Sequence, residues 1–318
     1  MSVSEDFLER TGIFRGELLA HCYQMLGSFH DAEDQVQDTF LRAWRAYDRF
    51  DDRRASMRTW LYRIATNSCL TALQSRDRRA LPSGLGAPAD DPTQPLTPGA
   101  EAWLQPFPDA MIAEDPAAAL LSRGRLRLAL VAALQYLPAR QRAILILREV
   151  LEFSAAEVAT MLDTSVAAVN SGLQRARARL AELGVDEEEL AEPADTQRRA
   201  LLDQYVKAFE SADIAGLTRL LTEDVVLEMP PFSNWYRGPA AYGGFIARVF
   251  AARGTDWRML LTPSNGQMAL AAYTGQADGR YVAHSLQVVT TSRDGIVRNT
   301  VFQDPALFVH YGLPALLP

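Results

Sequence analysis

Residues 154–183 read SAAEVATMLDTSVAAVNSGLQRARARLAEL, and the fold of the whole chain turns on this stretch. Ser154 with Glu157 three positions later is a capping box: hydroxyl and carboxylate each satisfy a backbone N–H that a helix start leaves unpaired, a gain of about 1 kcal/mol. A short helix starts here, with Val158, Ala159 and Leu162 at helical spacing. Asp163-Thr164-Ser165 interrupts the pattern with residues that favour turns and N-caps, and a second helix starts at Ser165. Val169, Leu173, Ala176 and Leu180 run along one side of it. Asn170, Ser171, Gln174, Arg175, Arg177 and Arg179 occupy the other faces, with groups suited to base edges and phosphates. The pattern predicts a helix-turn-helix with a DNA-reading second helix. A solvated amphipathic hairpin carries the same charges, so the rest of the chain has to decide.

At 318 residues with 48% hydrophobic content, the chain has room for two or three domains with ordinary cores. It contains no run of 18 or more apolar residues, and MSVSEDFLERTG at the start is polar and acidic. Neither a signal peptide nor a membrane anchor is expected, and a cytoplasmic location follows. Cys22 and Cys69 belong to no C-x-x-C pattern and the four histidines are scattered, so no metal site, cofactor or disulfide framework is expected. A net charge of -7 is odd for a protein that binds DNA unaided, because phosphate neutralisation supplies most non-specific affinity. The charge is uneven, however. Residues 42–80 hold ten Arg against four Asp, whereas residues 80–122 contain no Lys or Arg.

From Phe14 to Tyr47 the periodicity is helical, with a break and new start at His30-Asp31-Ala32-Glu33. Val36, Phe40, Ala43, Trp44 and Tyr47 form an apolar stripe, and Asp34, Gln37, Asp38, Arg42 and Arg45 the opposite, polar face. A polar loop over residues 48–58 leads into a helix, TWLYRIATNSCLTALQSRDRR, with Trp60, Leu61, Ile64, Ala65 and Ala72 as core positions. Arg58, Arg63 and Asn67 are left pointing outwards, and Arg76, Arg78 and Arg79 complement the helix dipole.

HDAEDQVQDTFLRAW, RTWLYRIATNSCL and LPARQRAILILREVLEFSAAEVATMLDTSVAAVNSGLQRARARL, in this order, resemble regions two and four of the extracytoplasmic-function sigma factors, bacterial subunits that direct RNA polymerase to promoters. The resemblance covers residues 10–80 and 121–183, and it accounts for the charge, since core polymerase would supply the missing DNA affinity. It implies that Asp34, Gln37, Asp38 and Arg42 form the docking face for the largest polymerase subunit. It places Arg53, Arg54, Ser56 and Met57 in the loop that captures a flipped base of the minus-ten element, with Arg63 and Asn67 near the melted strand; a base must leave the stack to be read on its pairing edge. Asn170, Ser171, Gln174 and Arg175 would read the minus-thirty-five element, with Arg177 and Arg179 as phosphate contacts.

Eight of the chain's 17 prolines and six acidic residues fall in residues 80–122, the composition of a linker. Within it lies WLQPFPD. Trp103, Leu104 and Phe107 would each lose roughly 1.5–3 kcal/mol of burial if left in water, so the motif is expected to make an interdomain docking contact, burying itself against the C-terminal domain. Beyond the acidic VDEEELAEPADTQ, residues 197–318 are electrically balanced, with 11 basic and 10 acidic groups. Two helices, the second capped by Asp213, precede a strand VVLEM and a third helix from Pro239 to Ala251. WRMLLTP, QMALAAYTG, YVAHSLQVVTT and IVRNTVFQ then read as antiparallel strands. This order resembles the SnoaL-like cone fold of polyketide cyclases and ketosteroid isomerases. Such a cone implies an apolar pocket, here with Glu228, Trp235, Tyr236, Tyr273, His284, Asn299 and Asp304 as its polar or aromatic candidates and a small apolar molecule as its ligand.

The expected architecture is multidomain, with two all-α sigma domains, the second a helix-turn-helix, and an α+β SnoaL-like cone domain. The boundaries are 1–80, a Pro-rich linker 81–122, 123–184, an acidic connector 185–196, and 197–318. The expected function is a sigma factor that binds core polymerase and promoter DNA, catalyses nothing, engages no membrane, and is modulated by its fused cone domain. Two rivals come from other classes: a bifunctional enzyme whose cone turns over a small carbonyl compound, and a ligand-responsive regulator that binds DNA without polymerase.

Overall fold

The structure is a computed structural model that describes residues 3–75, 78–113, 115, 126–183 and 195–318. The chain divides into two compact units: residues 1–79 with 109–185, and residues 80–108 with 186–318. Arg76, most of the acidic connector 185–196, and residues 114 and 116–125 at the end of the expected linker lie outside the described residues.

The first unit opens with α1 (Val3–Gly12), α2 (Arg15–Leu26), α3 (Phe29–Ala46) and α4 (Met57–Ala72). Gly27 closes α2 with a φ of 67° that favours glycine, its N–H reaching the Tyr23 carbonyl. The Ser28 hydroxyl then accepts from the Asp31 N–H and starts α3. The break therefore falls at Gly27-Ser28, just before the expected His30–Glu33. α2 is buried almost throughout. Its Glu17 carboxylate is held by Arg58 at 2.8 Å and by the Tyr62 hydroxyl at 3.2 Å, while the Arg58 guanidinium also lies over the rings of Tyr62 and Phe153. Arg58 is thus part of the packing and not an outward-pointing cation. Trp60 is half-buried against Phe50, and Trp44 is 41% exposed at the edge of the Phe7 ring, so neither is a core residue in the sense the periodicity suggested. Cys22 and Cys69 are buried free thiols, and the adjacent Cys22 together with burial holds the Cys69 thiol well above its ordinary value.

The same unit continues with α5 (Leu128–Leu134), α6 (Ala139–Leu145) running into a π-helical turn over Ile146–Val150, α7 (Ala155–Met161) and α8 (Val166–Glu182). Buried Arg142 of α6 donates to the carbonyls of Met25, Gln135 and Leu137 and to the Gln135 side chain, and Gln135 reaches the Gln24 carbonyl at 3.3 Å. These groups satisfy the last carbonyls of α2, which a helix end otherwise leaves unpaired.

The second unit is built on a sheet with strand order β2-β1-β6-β5-β4-β3, where β1 is Leu221–Glu228, β2 Trp235–Arg237, β3 Trp257–Ser264, β4 Gln267–Gly275, β5 Tyr281–Thr291 and β6 Ile296–Phe302. The short β7 (Leu316–Leu317) pairs with β5. All pairings are antiparallel except β1 with β6. The helices are α9 (Asp195–Glu210), α10 (Ile214–Thr218), α11 (Pro239–Arg253) and α12 (Leu307–His310). Asp213 caps α10 as expected, accepting from the Gly216 N–H at 2.8 Å. Leu202, Tyr205, Phe209, Phe245, Phe250 and Trp257 belong to the core that helices and sheet share.

Residues 80–108, a linker by composition, are part of this unit. The segment folds back on itself, with the Ala80 N–H on the Ala102 carbonyl and the Leu104 N–H on the Ala80 carbonyl. Prolines lower the entropy that such a segment loses on ordering and remove N–H groups that would need partners.

Candidate nucleic-acid interface and linker seam

The helix-turn-helix forms as its capping chemistry dictates. Ser154 accepts from the Glu157 N–H at 3.2 Å and the Glu157 carboxylate accepts from the Ser154 N–H at 2.9 Å, bonds that hold the Glu157 carboxyl below its usual range. Asp163 takes the turn with φ 49°, and the Ser165 hydroxyl caps α8 through the Ala168 N–H at 3.1 Å. Val169, Leu173 and Ala176 are buried, with Gly172 among them. A Cβ on Gly172 would stand 2.6 Å from the Ile144 Cδ1, so a larger residue there would have to push the end of that side chain aside. The inward face leaves Asn170, Ser171, Gln174 and Arg175 exposed together, and none of these side chains has a hydrogen-bond or ion-pair partner among the described residues. Arg177 pairs with Glu149, and Arg179 with Glu182 at 2.8 Å.

In the first helical group, Arg53, Arg54 and Ser56 are exposed on the loop before α4. Ser56 is also the N-cap of α4, accepting from the Thr59 N–H at 3.1 Å. Met57, expected in the base-capturing loop, is the first residue of the helix and 8% exposed, so its side chain belongs to the packing. Arg63 is exposed, whereas the Asn67 amide donates to the Arg63 carbonyl at 2.9 Å and to the Met161 carbonyl at 3.3 Å. Thr59 likewise donates to Glu157 at 3.4 Å. The helix-turn-helix therefore holds the Asn67 amide, which the resemblance places near the melted strand. On α3, Asp34 and Gln37 are exposed, while Asp38 is paired with Arg42 at 2.7 Å and accepts from Ser68 at 3.1 Å.

Within the second unit, the linker lies along one end of the sheet. Glu228 is fully buried at the end of β1, and its carboxylate takes four donors: Arg298 at 2.7 Å, Thr300 at 3.0 Å, and the hydroxyl and N–H of linker Ser83 at 2.7 and 3.1 Å. Further along, the Ala89 N–H meets the Trp235 carbonyl and the Trp235 indole donates to Gly86; Gly99 meets Pro231, and Ser233 meets Thr97. At the far end Leu104 and Phe107 are buried. Phe107 exchanges bonds with Asn265, its N–H donating to the side chain at 2.8 Å and its carbonyl accepting from the backbone at 3.0 Å. Trp103 is half-buried, its ring against Gly99.

The candidate pocket residues do not converge. Glu228 and Trp235 belong to the linker seam. The Tyr273 hydroxyl donates to the Pro314 carbonyl, and exposed Asp304 caps the Ala306 N–H. Tyr236 stacks on Phe245 with ring centroids 5.2 Å apart. Only His284 and Asn299 line the small cavity inside the cone, about 30 Å³ in volume. Burial and nearby Arg253 push the His284 imidazole down to about 4. Sequence reasoning missed Asn299's partners: its amide donates to Tyr242 at 2.8 Å, Gln287 at 2.9 Å and Tyr205 at 3.3 Å, and burial pushes the Tyr242 phenol up to about 12. Gln287 is the available signal, a polar residue set between Leu286 and Val288.

Two sigma-type helical groups and a cone domain in one chain define a class of transcription initiation subunit, and comparison with known proteins bears this out. The chain matches Sigma-70 region 2 over residues 14–79, Sigma-70 region 4 over residues 120–180, and a SnoaL-like domain over residues 202–299. It is 45% identical over 313 residues to the ECF RNA polymerase sigma factor SigG of Mycobacterium tuberculosis, covering 97% of this chain and 84% of that protein. It is 30% identical over 174 residues to SigW of Bacillus subtilis, covering 55% of this chain and 86% of that one. The crystal structure of the M. tuberculosis extracytoplasmic function sigma factor SigJ superposes with a TM-score of 0.66 at 22% identity, covering 99% and 100% of the two chains, and so shares the fold. The chain belongs to the extracytoplasmic-function RNA polymerase sigma factors. Among the described residues no helix is long and apolar enough to cross a membrane.

Proposed function

We propose that this sigma factor directs core polymerase to its promoter through two separate surfaces and that its cone domain is a non-catalytic regulator acting through residues 80–108. Asn170, Ser171, Gln174 and Arg175 read the minus-thirty-five element from the major groove, with Arg177 and Arg179 exchanging their intramolecular carboxylates for phosphates. Arg53, Arg54, Ser56 and Arg63 engage the minus-ten strand, and Asn67 joins them once Met161 releases it. Asp34 and Gln37, with the Asp38–Arg42 pair, dock on core polymerase. The observation that carries the regulatory reading is the seating of Ser83 on the buried Glu228–Arg298 pair. Seating this belt shortens the covalent tether between the two helical groups, and releasing it restores their reach.

The same pair argues against catalysis. A general base must be free to take a proton in a plausible substrate pose. Glu228 instead spends its oxygens on four donors, and His284, neutral at pH 7, faces no carboxylate within hydrogen-bond reach among the described residues.

The test is promoter-dependent transcription with purified core polymerase. It compares the full chain, a truncation after Leu183, the Trp103→Ala/Phe107→Ala double variant, and Asp34→Arg. Transcripts should depend on added protein, Asp34→Arg should weaken core binding, and the double variant should shift activity in the same direction as the truncation. Equal transcription from the full, doubly substituted and truncated chains would end the regulatory reading while leaving the sigma function intact.

A further inference from the structure

Beside the linker seam, the cavity inside the cone adjoins an outer recess of about 170 Å³. The two share Phe245, Val249, His284 and Gln303, and the outer recess is bordered by linker Leu96 together with Arg248 and Arg253. At its inner end Asn299 is 1% exposed, yet its Oδ1 has no hydrogen-bond partner among the described residues, while its amide nitrogen reaches Tyr205, Tyr242 and Gln287. A buried acceptor left unpaired is costly, and in a functional protein it marks a place where a donor belongs. Between Asn299 and the mouth the walls are chiefly apolar. At the mouth stand two cations: exposed Arg253, and half-buried Arg248, which donates to the carbonyls of linker residues Pro92 and Gln94. Neither is in an ion pair among the described residues, although the Asp91 carboxylate is near enough to Arg248 to feel its charge.

We infer that this recess is a receptor site for a small amphipathic monocarboxylic acid that carries a hydroxyl at its far end. The hydroxyl donates to Asn299 Oδ1, the apolar body fills the space between Phe245, Val249 and Trp257, and the carboxylate meets Arg248. The combined recess falls below the roughly 300 Å³ at which drug-sized sites begin, so the occupant is compact, about the size of a phenolic acid. The inference deepens the regulatory reading and rests on it. Arg248 currently holds two neutral linker carbonyls, and a carboxylate makes a stronger, charge-assisted pair with the same guanidinium. Binding therefore draws Arg248 off Pro92 and Gln94, displaces Leu96 from the mouth, and loosens the middle of the belt.

The experiment uses the full chain and 3-(4-hydroxyphenyl)propionate as probe, with 3-phenylpropionate lacking the hydroxyl and 4-ethylphenol lacking the carboxylate. Calorimetry should show one saturable site for the probe, with about tenfold weaker binding for each deleted group and for Arg248→Ala. Hydrogen exchange of residues 92–97 should rise on saturation. Because Asn299→Leu could disturb the buried network, the two propionates compared on the unaltered protein supply the test of the inner end. No saturable binding at about 1 mM, equal binding of all three compounds, or binding with unchanged exchange at 92–97 would each overturn the inference. A chain that responds to Trp103→Ala/Phe107→Ala in transcription but fails these measurements loses only the ligand site. One that binds the probe but ignores the linker substitutions loses the regulatory reading instead.

Discussion

Replacing Ser83 by alanine should open the first turn of the linker without disturbing the sheet beneath it. The hydroxyl donates to Glu228 at 2.7 Å and accepts from Arg298 at 2.9 Å, so its loss removes two bonds to charged groups while the backbone bond to Glu228 and the Arg298–Glu228 pair remain. Hydrogen bonds to charged groups contribute roughly 1.5–3 kcal/mol. Ser83 is only half-buried, so water recovers part of this, and about 1–2 kcal/mol is the expected cost. That is a five- to thirtyfold rise in the open population of the belt's first turn. Hydrogen exchange read by mass spectrometry on the intact chain resolves it: peptides covering 80–89 should exchange faster by that factor, while those covering 296–302 stay protected. Ser83→Thr, which keeps the hydroxyl, should restore most of the protection. Unchanged exchange at 80–89 in the alanine variant would refute the idea that this serine holds the linker down, and with it the observation on which the regulatory proposal rests.

Arg175→Ala should weaken minus-thirty-five recognition by about 1–3 kcal/mol if the side chain reads a guanine edge, measured as competition between promoter variants; an unchanged base preference with a shallower salt dependence would reassign it to a phosphate. The cone should also lose stability in acid through His284. Its imidazole, pushed down to about 4 in the fold, stays neutral while the unfolded chain, near 6.5, takes up a proton. The contribution is therefore whole above about pH 6.5 and falls by up to about 1.4 kcal/mol per pH unit as pH drops towards 4. Urea unfolding of His284→Gln across that range should give a flatter profile than the unaltered chain, and parallel profiles would remove His284 from the account.

Much of the helical part was legible because its determinants are local. The capping box at Ser154–Glu157, the turn at Asp163 and the buried side of α8 all follow from residues three or four positions apart. The long strands of the cone are equally plain from apolar and β-branched runs separated by Ser-Asn-Gly and Arg-Asp-Gly turns, whereas β2 and β7, three and two residues long, give no such signal. The misplaced residues failed for reasons that spacing does not carry. Met57 reads as loop because Ser56, three residues before the expected helix start at Thr59, gives no sign that it caps. That the Tyr205 and Tyr242 hydroxyls meet at 2.7 Å and converge on Asn299 depends on tertiary placement. The linker was the largest difference. Its composition is that of a tether, but its partners lie well over a hundred positions away in sequence, and the groups it offers them are largely its own backbone N–H and C=O, which carry no side-chain signature.

That backbone character bears on how the linker works. Apolar contacts from Leu96 and Phe107 are non-directional and tolerate sliding, so they cannot by themselves fix the register of a belt rich in Pro, Gly and Ala. Register is fixed where direction matters: at Ser83 on Glu228 near one end, and at Phe107 on Asn265 near the other. Glu228 is worth little to stability when compared with an apolar side chain of the same volume, because its desolvation offsets most of its attraction to Arg298; removing either partner alone would still cost about 3–5 kcal/mol. A buried pair with this profile selects one arrangement more than it strengthens it. An effector that favours the released belt by about 3 kcal/mol would then change the ratio of seated to released chains by more than a hundredfold, an amount one good ion pair and a buried hydrogen bond can supply.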